Sequence, residues 1–254
     1  MTQRLKGKVA LVTGGGQGVG QGIAFALAAE GAAVAVTGRT LSKLQATVAE
    51  IGKRGGKALA LECDVKDAAS LEHSVSETVK QLGGLDILIN SAQEVPLGTL
   101  NGVSEAAFAA GWESGPLATF RLMRLAYPHL KKSGDGNIVN LASSAAFRWD
   151  AAGYGAYSAV KEATRQLTRA AACEWAKEGI RTNCILPLAD SPAMAGWTAA
   201  RPEEAAAFVA TVPQQRVGAC EADIGRFVAN LCTADCRYIN GQSIAVDGGQ
   251  AFLG

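Results

Sequence analysis

A chain of 254 residues that is 48% hydrophobic and 19% charged has the apolar material for a large core, and its length suits one α/β domain. Its net charge is +1 with no cluster of Lys or Arg, which excludes the basic footprint of a nucleic-acid binder or of a protein held on an anionic membrane. No apolar run is long enough to span a bilayer, and the opening MTQRLKGKVALVTGGG carries no signal-peptide pattern, so a soluble, cytoplasmic protein is expected. The cysteines at 63, 173, 184, 220, 232 and 236 then read as reduced, small apolar residues. Cys232 and Cys236 are four apart, but the histidines, His73 and His129, are far off in sequence, so no metal is expected.

VALVTG (9–14) reads as a strand, and Val19, Ile23, Leu27 and Ala28 as a helix that Gly31 closes. AVAVTG (33–38) is a second strand, and Leu41, Leu44, Val48 and Ile51 mark a second helix. ALALEC (58–63) is a third strand, with a helix at Leu71, Val75, Val79 and Leu82. LDILIN (85–90) follows, then a helical pattern from Phe108 to Ala126 with Gly115 and Pro116 at its centre. NIVNLAS (137–143), a long helix over 155–177 and RTNCILP (181–187) come next. A less regular region over 188–217, a helix near 221–233 and the strand SIAVDGG (243–249) end the chain. The strands are continuously apolar, the mark of a parallel sheet covered on both faces. With no linker or repeat, the expectation is one doubly wound α/β domain over 1–254, a Rossmann fold of about seven strands flanked by helices on both faces.

The loop TGGGQGVG (13–20) leaves a strand and opens a helix, the context in which a glycine pattern implies dinucleotide binding. Glycine lets a pyrophosphate approach the backbone, and the helix N-terminus offers free N–H groups. Gly14, Gln17, Gly18, Val19 and Gly20 are the candidate contacts. The second strand ends in Gly38 and Arg39, with no carboxylate for the ribose hydroxyls. Arg39 offers a bidentate donor for a 2′-phosphate, so NADP(H) is expected in preference to NAD(H). In YSAVK, Tyr157 and Lys161 share one helix face. An ammonium beside a phenol lowers its pKa and makes a tunable proton donor.

The chain resembles the short-chain dehydrogenase/reductase family over essentially its whole length. The matches are T-G-x-x-x-G-x-G as Thr13, Gly14, Gly18 and Gly20; the Asp of CDV as Asp64, with Val65 beside it; Y-x-x-x-K as Tyr157 and Lys161; and INGQSIAVDGG. The resemblance implies strand order 3-2-1-4-5-6-7, a homotetramer or homodimer, and hydride transfer between a nicotinamide ring and a carbonyl or alcohol carbon. Tyr157 would donate or accept the proton, Lys161 would lower its pKa and bind the nicotinamide ribose, Asp64 would contact the adenine, and a serine would hold the carbonyl oxygen. Strand register picks Ser143 and the commonest spacing from the tyrosine picks Ser144; Ser143 is preferred because register is harder to shift than loop length. The small-residue run Ala170, Ala171 and Ala172 suits close association of two such helices across a dimer axis.

Three segments depart from the family's pattern. Its usual Asn in the helix after strand four falls on Gly115; its N-N-A-G is Asn90, Ser91, Ala92 and Gln93; its P-G after strand six is Pro187 and Leu188. In the family these last two segments flank the nicotinamide pocket, so Asn90, Ala92 and Pro187 are expected at the cofactor and Gln93 and Leu188 at the substrate. Pro116 cannot donate to the carbonyl of Trp112. Gly-Pro is expected either to preserve a kink whose freed carbonyl holds a water of the lysine's proton relay, or to bend the helix without catalytic meaning. The segment 188–215 would be a substrate lid, carrying Met194, Trp197 and Phe208, with Trp149 and Tyr154 on the facing loop. These side chains either suit a cyclic or apolar substrate or are ordinary packing.

The reading is an NADP(H)-dependent oxidoreductase reducing a carbonyl or imine of a small molecule through Ser143, Tyr157 and Lys161. The alternatives are an NAD-dependent alcohol or diol dehydrogenase, and a catalytically silent NADP(H)-binding sensor or assembly protein.

Overall fold

The structure, a computed structural model, describes residues 3–147 and 153–251. Seven parallel strands form one sheet in the order β3-β2-β1-β4-β5-β6-β7. They are β1 (Val9–Thr13), β2 (Ala33–Gly38), β3 (Lys57–Glu62), β4 (Ile87–Asn90), β5 (Gly136–Leu141), β6 (Ile180–Pro187) and β7 (Ser243–Val246). The period of two along each strand divides two cores. Ala10, Val12, Val34, Val36 and Ile89 face α1 (Gly18–Ala29), α2 (Leu41–Lys53) and α9 (Arg226–Leu231). Leu11, Ala35, Leu88 and Ile138 face α3 (Ala68–Leu82), α5 (Ala118–Ser133) and α6 (Gly155–Trp175). Burial on both faces is why these strands read as unbroken apolar runs. No helix among the described residues is long and apolar enough to cross a membrane.

The structure departs from the sequence reading in three places. The region 188–217 holds two helices, α7 (Pro192–Ala200) and α8 (Pro202–Thr211). Each begins on a proline, which has no N–H to lose at a first helical position, and Ser191 caps α7 by accepting the Met194 N–H at 3.2 Å. Second, the helix around Gly115 is continuous. Between α4 (Glu105–Trp112) and α5 lies a π-helical turn, Glu113–Leu117, and the Ala118 N–H reaches Glu113 O, five residues back. Pro116 is accommodated by widening the turn, so that a carbonyl it cannot serve meets a donor one residue further along. Third, Ala171 and Ala172 are buried in the subunit's own core and are not an open face for a partner helix.

A second π-helical turn, Cys220–Gly225, precedes α9 and packs on α1 through glycines. A Cβ on Gly22 would stand 2.3 Å from the carbonyl carbon of Cys220, and one on Gly225 would stand 2.3 Å from Gly22 O. Backbone meets backbone here, so nothing flexible can yield. Gly22→Ala is expected to destabilise the fold by about 3 kcal/mol through overpacking, read as a lower urea midpoint at unchanged m-value.

Candidate active site

In an open parallel sheet, ligands bind beyond the carboxyl ends of the strands where the strand order reverses. Here the reversal falls between β1 and β4, and a crevice of about 940 Å³ opens there. The loops after β1 to β6 and the helices α6 and α7 line it. Gly14, Gln17, Gly18, Val19, Gly20, Arg39, Asp64, Val65, Ala92, Tyr157, Lys161 and Pro187 all reach its wall. Asn90 does not. It is buried in β4 and donates to Asn140 Oδ1 at 2.8 Å, tying β4 to β5, because its strand position points it into the sheet.

The glycine loop is closed to side chains. Gly14 and Gly18 have φ of +67° and +59°, and a Cβ on Gly20 would stand 2.5 Å from Gly14 O. Thr13 braces the loop: its hydroxyl accepts the N–H groups of Ser91 and Ala92 at 2.9 and 3.1 Å. No side chain caps α1, so the amides of its first turn are left for an anion.

At the outer end, Gly38 leaves space before Arg39. Arg39 pairs with Glu94 at 2.9 Å, and Lys66 meets the same carboxylate at 3.0 Å. Lys43, in the first turn of α2, donates to Gln17 Oε1 at 2.6 Å. Lys43 and Glu94 escaped the sequence reading. Lys43 has a signal, a cation four residues after Arg39; Glu94 arrives from a strand two places away in the sheet and has none.

At the inner end, the Ser143 hydroxyl stands beside the phenol of Tyr157 and favours its ionised form. Ser144 instead bonds the Gln250 side chain. The two serines therefore serve different neighbours, and the C-terminal Gln250, unforeseen in sequence, lines the crevice. Tyr157 keeps an open edge to the crevice, while burial of the rest pushes its phenol up to about 12; the neighbouring Ser143 hydroxyl opposes this. Burial pulls the Lys161 ammonium down to about 8, against the pull of Cys184. Lys161 Nζ donates to Leu141 O at 2.7 Å and lies 5.5 Å from the centre of the Tyr157 ring. Desolvation is the largest influence on the phenol, and the ammonium over its ring is committed to a carbonyl.

Gln93, Ser143, Tyr154, Leu188, Met194 and Trp197 share the remaining wall, and Trp197 packs edge-on to Phe208 at 5.7 Å. Trp149, the remaining expected substrate contact, lies outside the described residues. The Gln93 amide nitrogen is spent on backbone: it donates to Glu94 O at 2.7 Å and Gly111 O at 2.8 Å. Among the described residues no three His, Cys, Asp or Glu side chains converge as a metal set would.

A glycine loop with free helix-end amides and a Ser–Tyr–Lys cluster thus stand at opposite ends of one crevice. The family model described as enoyl-(acyl carrier protein) reductase matches residues 14–251. The 12α-hydroxysteroid dehydrogenase of a Clostridium species is 38% identical over 251 residues, 96% of each chain. The chain is a member of the short-chain dehydrogenase/reductase family. This short-chain dehydrogenase/reductase also superposes on solved members. A 7α-hydroxysteroid dehydrogenase complexed with NADH and 7-oxo glycochenodeoxycholic acid matches with TM-score 0.92 and 30% identity, over 98% of this chain and 96% of that one. A short-chain dehydrogenase from Burkholderia cenocepacia in complex with NADP matches with TM-score 0.89 and 33% identity, over 97% and 99%. The chain is an oxidoreductase acting on hydroxyl or carbonyl groups, in a family that binds a nicotinamide cofactor.

Proposed function

We propose that this member reduces a carbonyl group on a small cyclic or apolar molecule and prefers NADP(H). The contact between the Ser143 hydroxyl and the Tyr157 phenol carries the reading. Ser143 would hold the carbonyl oxygen and Tyr157 would protonate it. The nicotinamide, when bound, supplies or accepts the hydride. A phenol near 12 is protonated at neutral pH, the form a reduction needs, and the alkoxide left by hydride addition is a stronger base than phenolate. Gly14, Gly18 and the open end of α1 would hold the pyrophosphate, and Lys161 the nicotinamide ribose.

Arg39 and Lys43 beside Gly38 support the NADP(H) preference, since they would face a 2′-phosphate with no carboxylate on their own loop. The Arg39–Glu94 pair favours the rival, NAD(H), because it draws off part of that charge. Affinities decide between them. Arg39→Ala is expected to weaken NADPH by about 10- to 100-fold, the worth of a charge-assisted hydrogen bond, with NADH changed less than about threefold. Glu94→Gln is expected to tighten NADPH alone. Equal effects on both cofactors would favour the NAD(H) reading.

Leu188, Met194, Trp197 and Phe208 support an apolar substrate, and the lid reading of 188–215 rests on the α7–α8 pair that bears three of them. The names of the two hydroxysteroid dehydrogenases also point to a polycyclic alcohol or ketone. The test is NADPH consumption against cyclic ketones, oxo-steroids and cyclic imines, with NADH alongside and Tyr157→Phe as control. Turnover with an imine alone would move the reaction to C=N. NADPH binding without tyrosine-dependent turnover would favour the silent binding protein. We also propose a homodimer or homotetramer, supported by the exposed Phe108, Trp112 and Phe120 along α4 and α5.

A further inference from the structure

Two departures from the family's pattern touch each other. Gln93 lies in the loop after β4 and Gly115 in the π-helical turn, and the Gln93 side chain rests directly on Gly115. A Cβ at position 115 would stand 2.4 Å from Gln93 Oε1 and 3.0 Å from Nε2, far inside van der Waals contact. The same point is 2.8 Å from Cγ1 of Val160, the residue before Lys161 on α6. The amide's orientation follows from its partners. Two carbonyls, Glu94 O and Gly111 O, face the nitrogen, and only the NH₂ end can donate to both. Oε1 is thereby turned toward Gly115. Ser114 closes the junction from the helix side: its hydroxyl accepts the Glu94 N–H at 2.9 Å and donates to Ala110 O at 2.7 Å.

We propose that Gln93 is a positioning residue for the reaction. Its carboxamide enters from the β4 loop, fills the volume over Gly115 that a helix side chain would otherwise take, and wedges the π-helical turn against α6 at Val160. Tyr157 and Lys161 are held on that segment of α6, so the wedge sets where the phenol and the ammonium stand. Gly115 is required because the wedge leaves no room for a Cβ. A carboxamide placed on the helix, with glycine in the loop, would occupy the same volume from the other side.

The proposal rests on the reading of Tyr157 and Lys161 as the proton-handling pair. Its test is a double-variant cycle of Gln93→Gly, Gly115→Asn and the two combined, with Gln93→Met, which keeps the length but loses both donors. Each is read by melting temperature, by Kd for NADPH, and by kcat and KM for the best carbonyl substrate of the panel. Each single variant, Gln93→Met included, is expected to lose on the order of 10- to 100-fold in kcat by misplacing the pair, with KM within about twofold. The combined variant is expected to recover at least about tenfold over the product of the two single effects. Multiplicative losses in the combined variant, or wild-type kcat in Gln93→Met, would overturn the proposal. Wild-type protein that binds NADPH but turns over no carbonyl overturns the functional reading, and this role for Gln93 with it. That failure is distinct, because it lies in the wild type.

Discussion

Tyr157→Phe is expected to lower turnover by about 10²- to 10⁴-fold, the usual contribution of a positioned general acid, while NADPH affinity stays within about threefold. The substitution removes one oxygen and keeps the ring, so its packing 6.4 Å from Tyr154 persists. What disappears is the proposed proton donor beside Ser143. The same geometry sets a pH signature. The phenol stays protonated up to about 12, so its availability as an acid does not limit reduction between pH 6 and 9. Oxidation of the alcohol needs the phenolate, whose fraction rises about tenfold per pH unit below the pKa. Oxidation should therefore climb across this range while reduction stays flat until Lys161 begins to lose its proton near 8. Rates in both directions for wild type and Tyr157→Phe check this. Equal turnover in the variant would remove the tyrosine from the chemistry.

Lys161→Met is expected to abolish most activity, by at least about 10²-fold, and yet to remove a stability penalty. Lys161 is 4% exposed and donates to Leu141 O. Its depression from 10.5 to about 8 corresponds to about 3 kcal/mol against the charged form. Methionine fills the space without a charge, but it strands the Leu141 carbonyl, which costs about 1–3 kcal/mol. The net change at neutral pH is therefore small, and the pH dependence is decisive. The folded pKa lies below the unfolded one, so between pH 8 and 10.5 the unfolded chain binds the extra proton. Wild-type stability then rises with pH across that window relative to the variant, by up to about 3 kcal/mol. Below 8 the penalty is fully present and above 10.5 it is gone. Urea melts of both proteins at pH 7 and 10 read the difference; parallel changes would mean that Lys161 is not held in a desolvated site.

Much of the site was legible because its signals are local. A glycine run after an apolar strand, Tyr157 and Lys161 one turn apart, and Arg39 at a strand end each report through a few neighbours along the chain. The misses share a cause. Asn90 was assigned by its place in a motif, but the sheet turns it inward to Asn140. The alanines of α6 were read as an open face, though the subunit's own core covers two of them. The region 188–217 reads as irregular in sequence, yet the prolines at 192 and 202 start α7 and α8 there.

By itself the sequence determined the strand–helix alternation, the parallel sheet, the glycine loop at the first strand's end and the paired tyrosine and lysine, because hydrophobic period and motif spacing are properties of short stretches. Only the tertiary structure decided which serine meets the phenol, that Glu94 crosses to Arg39, that Gln250 returns to Ser144, and that Gln93 occupies the room Gly115 leaves. Each of these joins residues from different elements: Glu94–Arg39 and Gln250–Ser144 from different strand ends, Ser143–Tyr157 and Gln93–Gly115 from a loop and a later helical segment of the same connection. Their contact depends on how those elements pack, which no local stretch encodes. The pKa values of Tyr157 and Lys161 belong to the same class: spacing placed the charges together, and burial set the direction in which they moved.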